Sequence, residues 1–444
     1  MNAHLSLSST ILLTPRRAGL YAGKDNIFDV LVRIQAPDAP TGHVAIRPPQ
    51  ALALVIDRSG SMDGRPLEEV KRCAEYVMGK LRPTDVVSLV MFDNRVQRLW
   101  PATPLGDGAA QRAVIAGIRA GGRTNLNGGW KEGADTLADV AGKGLKRVIL
   151  LSDGRANEGD FDAEAIAAQC AEWATRGVTT STYGLGNSFN EELMVAMGRA
   201  GGGSHYYGDT AEDLMEPFEQ ELELLGNLCL RNLRLEASSP DGVEVRVVNE
   251  LQVVEGGWRL PDLAWGAEAW AVLRLIVYAG ALPPTGQLMS LLRVSVEGQS
   301  LEGDAVQLER AGLALPVLTP SAFDALTDDE LVSRRQVELA AADALALMRA
   351  AAGQGDWAAV DRLLEDAGRQ FAGNEWVGAM LEAMKSVAES RSRERMMKES
   401  MYSSSKLRNR LVAKTEEEWF SAAMEGTEKP SYLRRKPAQG KGDK

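Results

Sequence analysis

Asp57, Ser59 and Ser61 place one acid and two hydroxyls at alternating positions, with Gly60 between the serines. All three side chains are hard oxygen donors, which suit Mg²⁺, Mn²⁺ or Ca²⁺ better than zinc or copper. The apolar run Leu52 to Ile56 before the acid has the length and composition of a buried strand. Ligands of open α/β sheets sit just beyond the carboxyl ends of strands. This strand would therefore deliver a carboxylate and two hydroxyls into one crevice. These residues alone cannot complete a six-coordinate shell. Two later stretches supply candidates: Thr124, in the Gly-rich loop Gly121-Gly122-Arg123-Thr124-Asn125, and Asp153, which ends a second apolar run, Val148 to Leu151.

With these five in place, the chain resembles the von Willebrand factor A domain and its metal-ion-dependent adhesion site. Asp57, Ser59, Ser61, Thr124 and Asp153 hold that family's residue types in its order. Ser61-Met62-Asp63-Gly64, Leu151-Ser152-Asp153-Gly154 and Tyr183-Gly184-Leu185-Gly186 match it as well. The resemblance spans roughly residues 48 to 226. It implies that Ser59 and Ser61 bind the metal directly, and that Thr124 and Asp153 alternate between direct and water-mediated contact. It also implies an exchangeable water that an Asp or Glu of a protein partner replaces. The chain would then be a non-enzymatic, Mg²⁺-dependent interaction or scaffold protein, with Mn²⁺ or Ca²⁺ as alternative ions. The resemblance further points to larger assemblies or a MoxR-type AAA+ ATPase partner, and to movement of the last helix, Ala211 to Leu225, with the Thr124 loop.

Plainer roles compete for the same residues. Asp57, Ser59 and Ser61 could be an N-cap cluster, and Asp153-Gly154 a strand-end turn. Asp63 and Asn125 suit turn hydrogen bonds better than water-orienting roles. Trp130, directly after the Thr124 loop, is a candidate interface anchor against the more ordinary core role. Gly60, Gly121, Gly122 and Gly154 would keep the approach to the ion open. The rival function is a Mg²⁺-dependent phosphohydrolase on a similar sheet. Such an enzyme would need a nucleophile and a general acid near the metal. Asp57 is followed two residues later by Ser59 rather than a second acid, and none of the 3 histidines lies in the motif loops.

The elements that must position these residues alternate strand and helix. Strands are expected at Leu52–Ile56, Val86–Phe92, Arg147–Leu151 and His205–Tyr207, with Val178–Tyr183 of an exposed-edge or mixed type. Helices are expected at Leu67–Leu81, Ala109–Ile118, Gly129–Val140, Phe161–Thr175, Asn190–Ala200 and Ala211–Leu225. The pattern predicts a doubly wound, mostly parallel, Rossmann-like sheet over residues 48–226. Residues 1–47 and 228–316 carry period-two stretches, and neither set closes its edges alone. Together they are expected to form one β-sandwich into which the α/β domain is inserted. Residues 321–424 read as helices, with an amphipathic or solvent-bridging one, dense in both charge signs, over Ser386–Glu399. The basic stretch within 425–444 reads as a disordered tail.

The 444 residues suffice for two or three domains, and a net charge of −11 speaks against a nucleic-acid partner. Cys73, Cys170 and Cys229 form no disulfide framework, which fits a reducing compartment. The apolar patch Ile11 to Leu13 is too short for a signal-peptide core, and no run of eighteen apolar residues exists. No membrane partner and a cytoplasmic location are expected. Gly142-Lys-Gly-Leu-Lys lacks phosphate-loop spacing, so the chain itself carries no ATPase motif.

Overall fold

The computed structural model describes residues 9–38, 49–141, 144–153, 156–185, 190–208 and 210–413. The expectations for residues 1–8, for the 47/48 boundary, for Gly154 and Gly186, and for 414–444 lie outside these.

Six strands form the central sheet, in the order Val96–Pro104, Val86–Phe92, Ala51–Asp57, Lys146–Ser152, Val178–Leu185 and Gly202–Gly208. All neighbours run parallel except Val96–Pro104, an antiparallel edge that periodicity did not reveal. The chain builds outward from Ala51–Asp57 on one side, then returns and builds on the other. The order reverses between Ala51–Asp57 and Lys146–Ser152, so the ligand crevice of a doubly wound sheet falls between their carboxyl ends. Ala51–Asp57 is buried along its whole length, as a strand covered on both faces must be. Helix Leu126–Ala138 approaches this strand closely: a Cβ at Gly133 would lie 2.4 Å from Cγ2 of Val55. Trp130 on that helix is fully buried, and its Nε1 donates to Thr180 Oγ1 at 2.9 Å. It is a core residue and not an interface anchor.

Val178–Leu185 is not an edge strand. It is interior and buried at every position. The hydroxyls that gave it a mixed character are engaged inside the protein. Thr179 Oγ1 accepts from Arg147 Nε at 2.9 Å, and Ser181 Oγ donates to Glu221 Oε1 at 2.6 Å.

Two further sheets draw strands from both sides of the α/β block. One runs Thr10–Pro15, Asn26–Gln35, Ala267–Val277, Val243–Val247, with Val412–Ala413 also paired to Ala267–Val277. The other runs Gln252–Val254, Gly257–Arg259, Leu228–Ser238, Leu288–Gln299, Ala311–Leu318, Leu20–Tyr21. Asn26–Gln35 pairs antiparallel with Ala267–Val277 from Asn26↔Val277 to Gln35↔Glu268. Arg274 donates twice to Asp29 across that ladder, at 2.8 and 2.9 Å.

After the short helix Pro320–Asp324, four longer ones follow: Glu330–Gly353, Trp357–Gln370, Glu375–Glu389 and Arg393–Asn409. Asp329, Asp356, Asn374 and Ser392 cap them, each accepting from an amide three residues on. Leu345, Met348, Val360, Phe371 and Met384 share their core. The charged stretch Ser386–Glu399 is not one solvent-bridging helix. The helix ends at Glu389, Arg391 takes a φ of 49°, and a new helix starts at Arg393. Lys398, Glu399, Ser400 and Ser403 on that helix are buried. Part of this polarity is partnered: Ser400 Oγ donates to Met396 O at 2.6 Å, Ser404 Oγ donates to Ala342 O at 3.3 Å, and Arg408 pairs with Asp343 at 2.5 Å, whereas Ser403 Oγ has no partner among the described residues.

Candidate functional site

Asp57 ends its strand beside Phe92 on one side, while Ile56 pairs with Leu151 on the other. Ser152 and Asp153 therefore emerge next to it. Ser152 Oγ donates to Asp57 Oδ2 at 2.5 Å, and the Ser59 amide donates to Oδ1 at 2.8 Å. Asp57 is fully buried. Burial first, and then the charge of Asp153, pushes its carboxyl up to about 6, against the lowering effect of those hydrogen bonds. Its foremost charged neighbour is thus another acid.

The N-cap reading of the serines does not hold. Ser59 opens only the short 3₁₀ turn Gly60–Met62 and makes no side-chain capping bond, while the next helix, Arg65–Lys80, is capped by Gly64. Ser59 Oγ instead lies 3.1 Å from Ser61 Oγ, with Ser59 buried and Ser61 exposed. The buried Met62 pins the turn. The serine hydroxyls thus do not serve the helix.

Backbone bonds bring the Thr124 loop to these serines. The Gly60 amide donates to Gly122 O at 3.0 Å, and the Gly121 amide to Arg58 O at 2.8 Å. Gly122 has a φ of +78°, and a Cβ there would fall 2.4 Å from Asn94 Oδ1, so this position requires glycine. Gly121 has open space around it, and at Gly60 a Cβ would meet Gly122 O at 3.4 Å, an ordinary contact. Thr124 is buried; its amide donates to Asn157 Oδ1 at 2.9 Å, and its carbonyl accepts from the amides of Asn157 and Glu158. The loop that follows Asp153 is thereby folded onto the Thr124 loop. Asn125 accepts from the Gly128 amide at 3.0 Å and caps its helix, as the turn reading had it. Asp63 closes the 3₁₀ turn, its amide donating to Gly60 O.

Three residues of the site carried no role in the sequence reading. Ser152 holds Asp57. Asn157 holds Thr124. Asp93 pairs with Arg58 at 2.5 Å, accepts from the Arg95 amide at 2.6 Å, and takes the Asn125 amide on its carbonyl at 2.9 Å. A signal for Asp93 existed: Val86–Phe92 is a further strand that leads directly into an acid. His205 lies away from the crevice, on the edge strand Gly202–Gly208, with Nδ1 2.9 Å from Thr182 Oγ1. Burial, then the charge of Lys398, pushes its pKa down to about 3, so it stays neutral.

Residues 51–221 match the family model of the von Willebrand factor type A domain. Over 268 residues the chain is 29% identical to the uncharacterized protein sll0103 of Synechocystis, covering 56% of this chain and 61% of that one. Over 170 residues it is 31% identical to inter-alpha-trypsin inhibitor heavy chain H1 of Mesocricetus auratus, covering 36% of this chain and 18% of that one. The chain thus spans less than two thirds of the length of these relatives. Among solved structures, a von Willebrand factor type A protein from Catenulispora acidiphila aligns with a TM-score of 0.66 at 16% identity, over 86% of this chain and 91% of that one. The ArnB paralog VWA2 from Sulfolobus acidocaldarius aligns with a TM-score of 0.59 at 16% identity, over 90% of this chain and 98% of that one. At such identities the likeness is one of fold. The central α/β block is a von Willebrand factor type A domain.

Proposed function

We propose that this domain binds a hard divalent cation, Mg²⁺ first, through Asp57, Ser59, Ser61, Thr124 and Asp153. The ion in turn would take an Asp or Glu side chain of a protein partner. One observation carries this reading. Asp57 is buried at the switch point of the sheet with Asp153 as its foremost charged neighbour, and the adjacent serine hydroxyls are not used as helix caps. Two acids and three hydroxyls form a donor set suited to Mg²⁺, Mn²⁺ or Ca²⁺. A dication would offset the burial and the repulsion from Asp153 that together raise Asp57. Ser152 would hold the Asp57 carboxylate in one orientation, and Asn157 would hold the Thr124 loop, as groups behind metal ligands do. When bound, the ion supplies an electrophilic position that a carboxylate can occupy.

The role is one of interaction and not of catalysis. The heavy-chain relatives and the domain type support it, as does the absence of a second acid two residues after Asp57. Assembly with a MoxR-type AAA+ ATPase remains part of the proposal. So does a reducing, cytoplasmic setting, supported by three buried free cysteines. No helix among the described residues is long and apolar enough to cross a membrane. We further read the two antiparallel sheets as one β-sandwich interrupted by the α/β domain. The ladder of Asn26–Gln35 with Ala267–Val277 across that block supports this reading.

The test is capture of protein partners from lysate by the full chain in Mg²⁺, in EDTA, and with Asp57→Ala. Capture should need both the ion and Asp57. Capture indifferent to chelation and to the substitution would overturn the reading. Hydrolysis of a generic phosphoester, lost in Asp57→Asn, would favour the phosphohydrolase instead.

A further inference from the structure

The loop from Asp153 into the helix Ala163–Thr175 stands on the crevice side of the sheet, where the parallel strands present their carboxyl ends. Its described part is braced against the Thr124 loop. Thr124 O accepts from the amides of Asn157 and Glu158, Arg123 Nη2 donates to Asn157 O at 2.8 Å, and Arg123 pairs with Glu158 at 3.1 Å. Gly159 has a φ of +70°, and a Cβ there would fall 2.6 Å from Oδ1 of Asn125, the residue after Thr124. Further on, the Asp162 amide donates to Asp160 Oδ1 at 3.1 Å, and Asp162 caps the helix by accepting from the Ala165 amide at 2.8 Å.

Two residues beyond Gly159 the loop carries Phe161, 60% exposed. Across residues 51–221 it is the one exposed large apolar side chain among the described residues. A lone apolar group on a surface is ordinary. An aromatic ring on a braced loop at the ligand end of a sheet is in the place where binding surfaces are built. Its surroundings decide what it contacts. Residues 156–175 hold five acids and no Lys, Arg or His. Asp160, Asp162 and Glu164 are exposed, and Asp160 and Asp162 bond backbone amides rather than cations. An aliphatic side chain laid on the ring would strip water from these carboxylates without compensation. An arginine covers the ring with its planar guanidinium and answers the carboxylates as well.

We propose that Phe161 is a second contact for the protein partner and takes an arginine side chain that stands near the Asp or Glu bound at the ion. This rests on the ion proposed above at Asp57. The partner segment is then of mixed charge, with an acid for the cation and an arginine for the ring and its flanking carboxylates. The ion selects acids in general; Phe161 chooses among them.

The experiment is selection, by the full chain in Mg²⁺, from a display library of twelve-residue peptides with a fixed central Glu and random flanks. The selected peptides should carry Arg near the Glu, ahead of Lys and of apolar residues. In Phe161→Ser the best peptide should bind roughly fivefold to tenfold more weakly, and a fresh selection should lose the preference for Arg. Phe161→Tyr keeps a ring and should retain both. Asp160→Asn keeps the oxygen that accepts from the Asp162 amide and should weaken binding roughly twofold to threefold, more at low salt. An unchanged urea midpoint checks that Phe161→Ser is folded. Ion-dependent peptides without Arg, or the same peptides selected by Phe161→Ser, overturn this proposal and leave the ion standing. Peptides captured equally in EDTA and by Asp57→Ala overturn both. A library that yields no peptide overturns the Phe161 contact, and Mn²⁺ titration of the full chain then shows whether the ion site fails with it.

Discussion

The strand Lys146–Ser152 has a buried polar cluster at each end, and the two balance their charge differently. At its start, Arg147 pairs with Glu221, both almost wholly buried, and donates to Thr179 Oγ1, Ser181 Oγ and Gly202 O. At its finish, Ser152 bonds Asp57, whose foremost charged neighbour is Asp153. The first cluster sets one cation against one anion within the chain, with Glu221 Oε2 lacking a donor among the described residues. The second sets acid against acid. Buried charge is tolerated when it is paired. On the proposed reading, the second cluster takes its cation from solution, and that makes it a site rather than a strut.

Breaking the first cluster has the largest expected effect. Glu221→Ala strands the buried Arg147 and should cost about 3–5 kcal/mol in urea unfolding, with or without metal. Joining it to Arg147→Met should recover most of that loss. A cost near zero for the single variant would remove the contrast between the two ends. Next comes Asp57→Ala, expected to weaken Mn²⁺ binding by calorimetry roughly a hundredfold or more, while unfolding in EDTA changes little. Asp57→Asn sharpens the contrast through its sign. Removing a buried charge, and with it the repulsion from Asp153, should stabilise the metal-free chain by roughly 1–2 kcal/mol, whereas neutralising Glu221 destabilises. The smallest effect belongs to Ser152→Ala. It frees the Asp57 carboxylate to turn and should weaken Mn²⁺ binding roughly tenfold, with no effect on the Arg147 end.

Much of the fold could be read from the chain because the signals are local. Ala51–Asp57 and Lys146–Ser152 are apolar runs that end on or beside acids, and the helical stretches of the block show apolar residues at helical spacing. What stayed hidden depends on distant partners. Val178–Leu185 carries hydroxyls that suggest an edge, yet it is interior because Arg147, Glu221 and Trp130 engage them. Ser386–Glu399 is charged enough to suggest an amphipathic or solvent-bridging helix, yet Arg393–Asn409 is a separate helix that buries Lys398, Glu399, Ser400 and Ser403, with Asp343, Glu250 and Ala342 opposite its Arg408 and Ser404. Within the site, Ser152 and Asp93 sat in plain view at strand ends, but their roles required knowing which strands are neighbours.

The amino-acid order by itself settled which oxygen donors exist and that each stands at the end of a buried strand or in a Gly-rich loop, because strand periodicity and glycine freedom act over a few residues. Tertiary structure decided that the Thr124 loop and the strand end at Asp153 lie beside Asp57 and the serines, and that Asp57 faces an acid while Arg147 faces Glu221. Those outcomes rest on electrostatics and packing between groups up to hundreds of positions apart, for which no local pattern in the chain is a substitute.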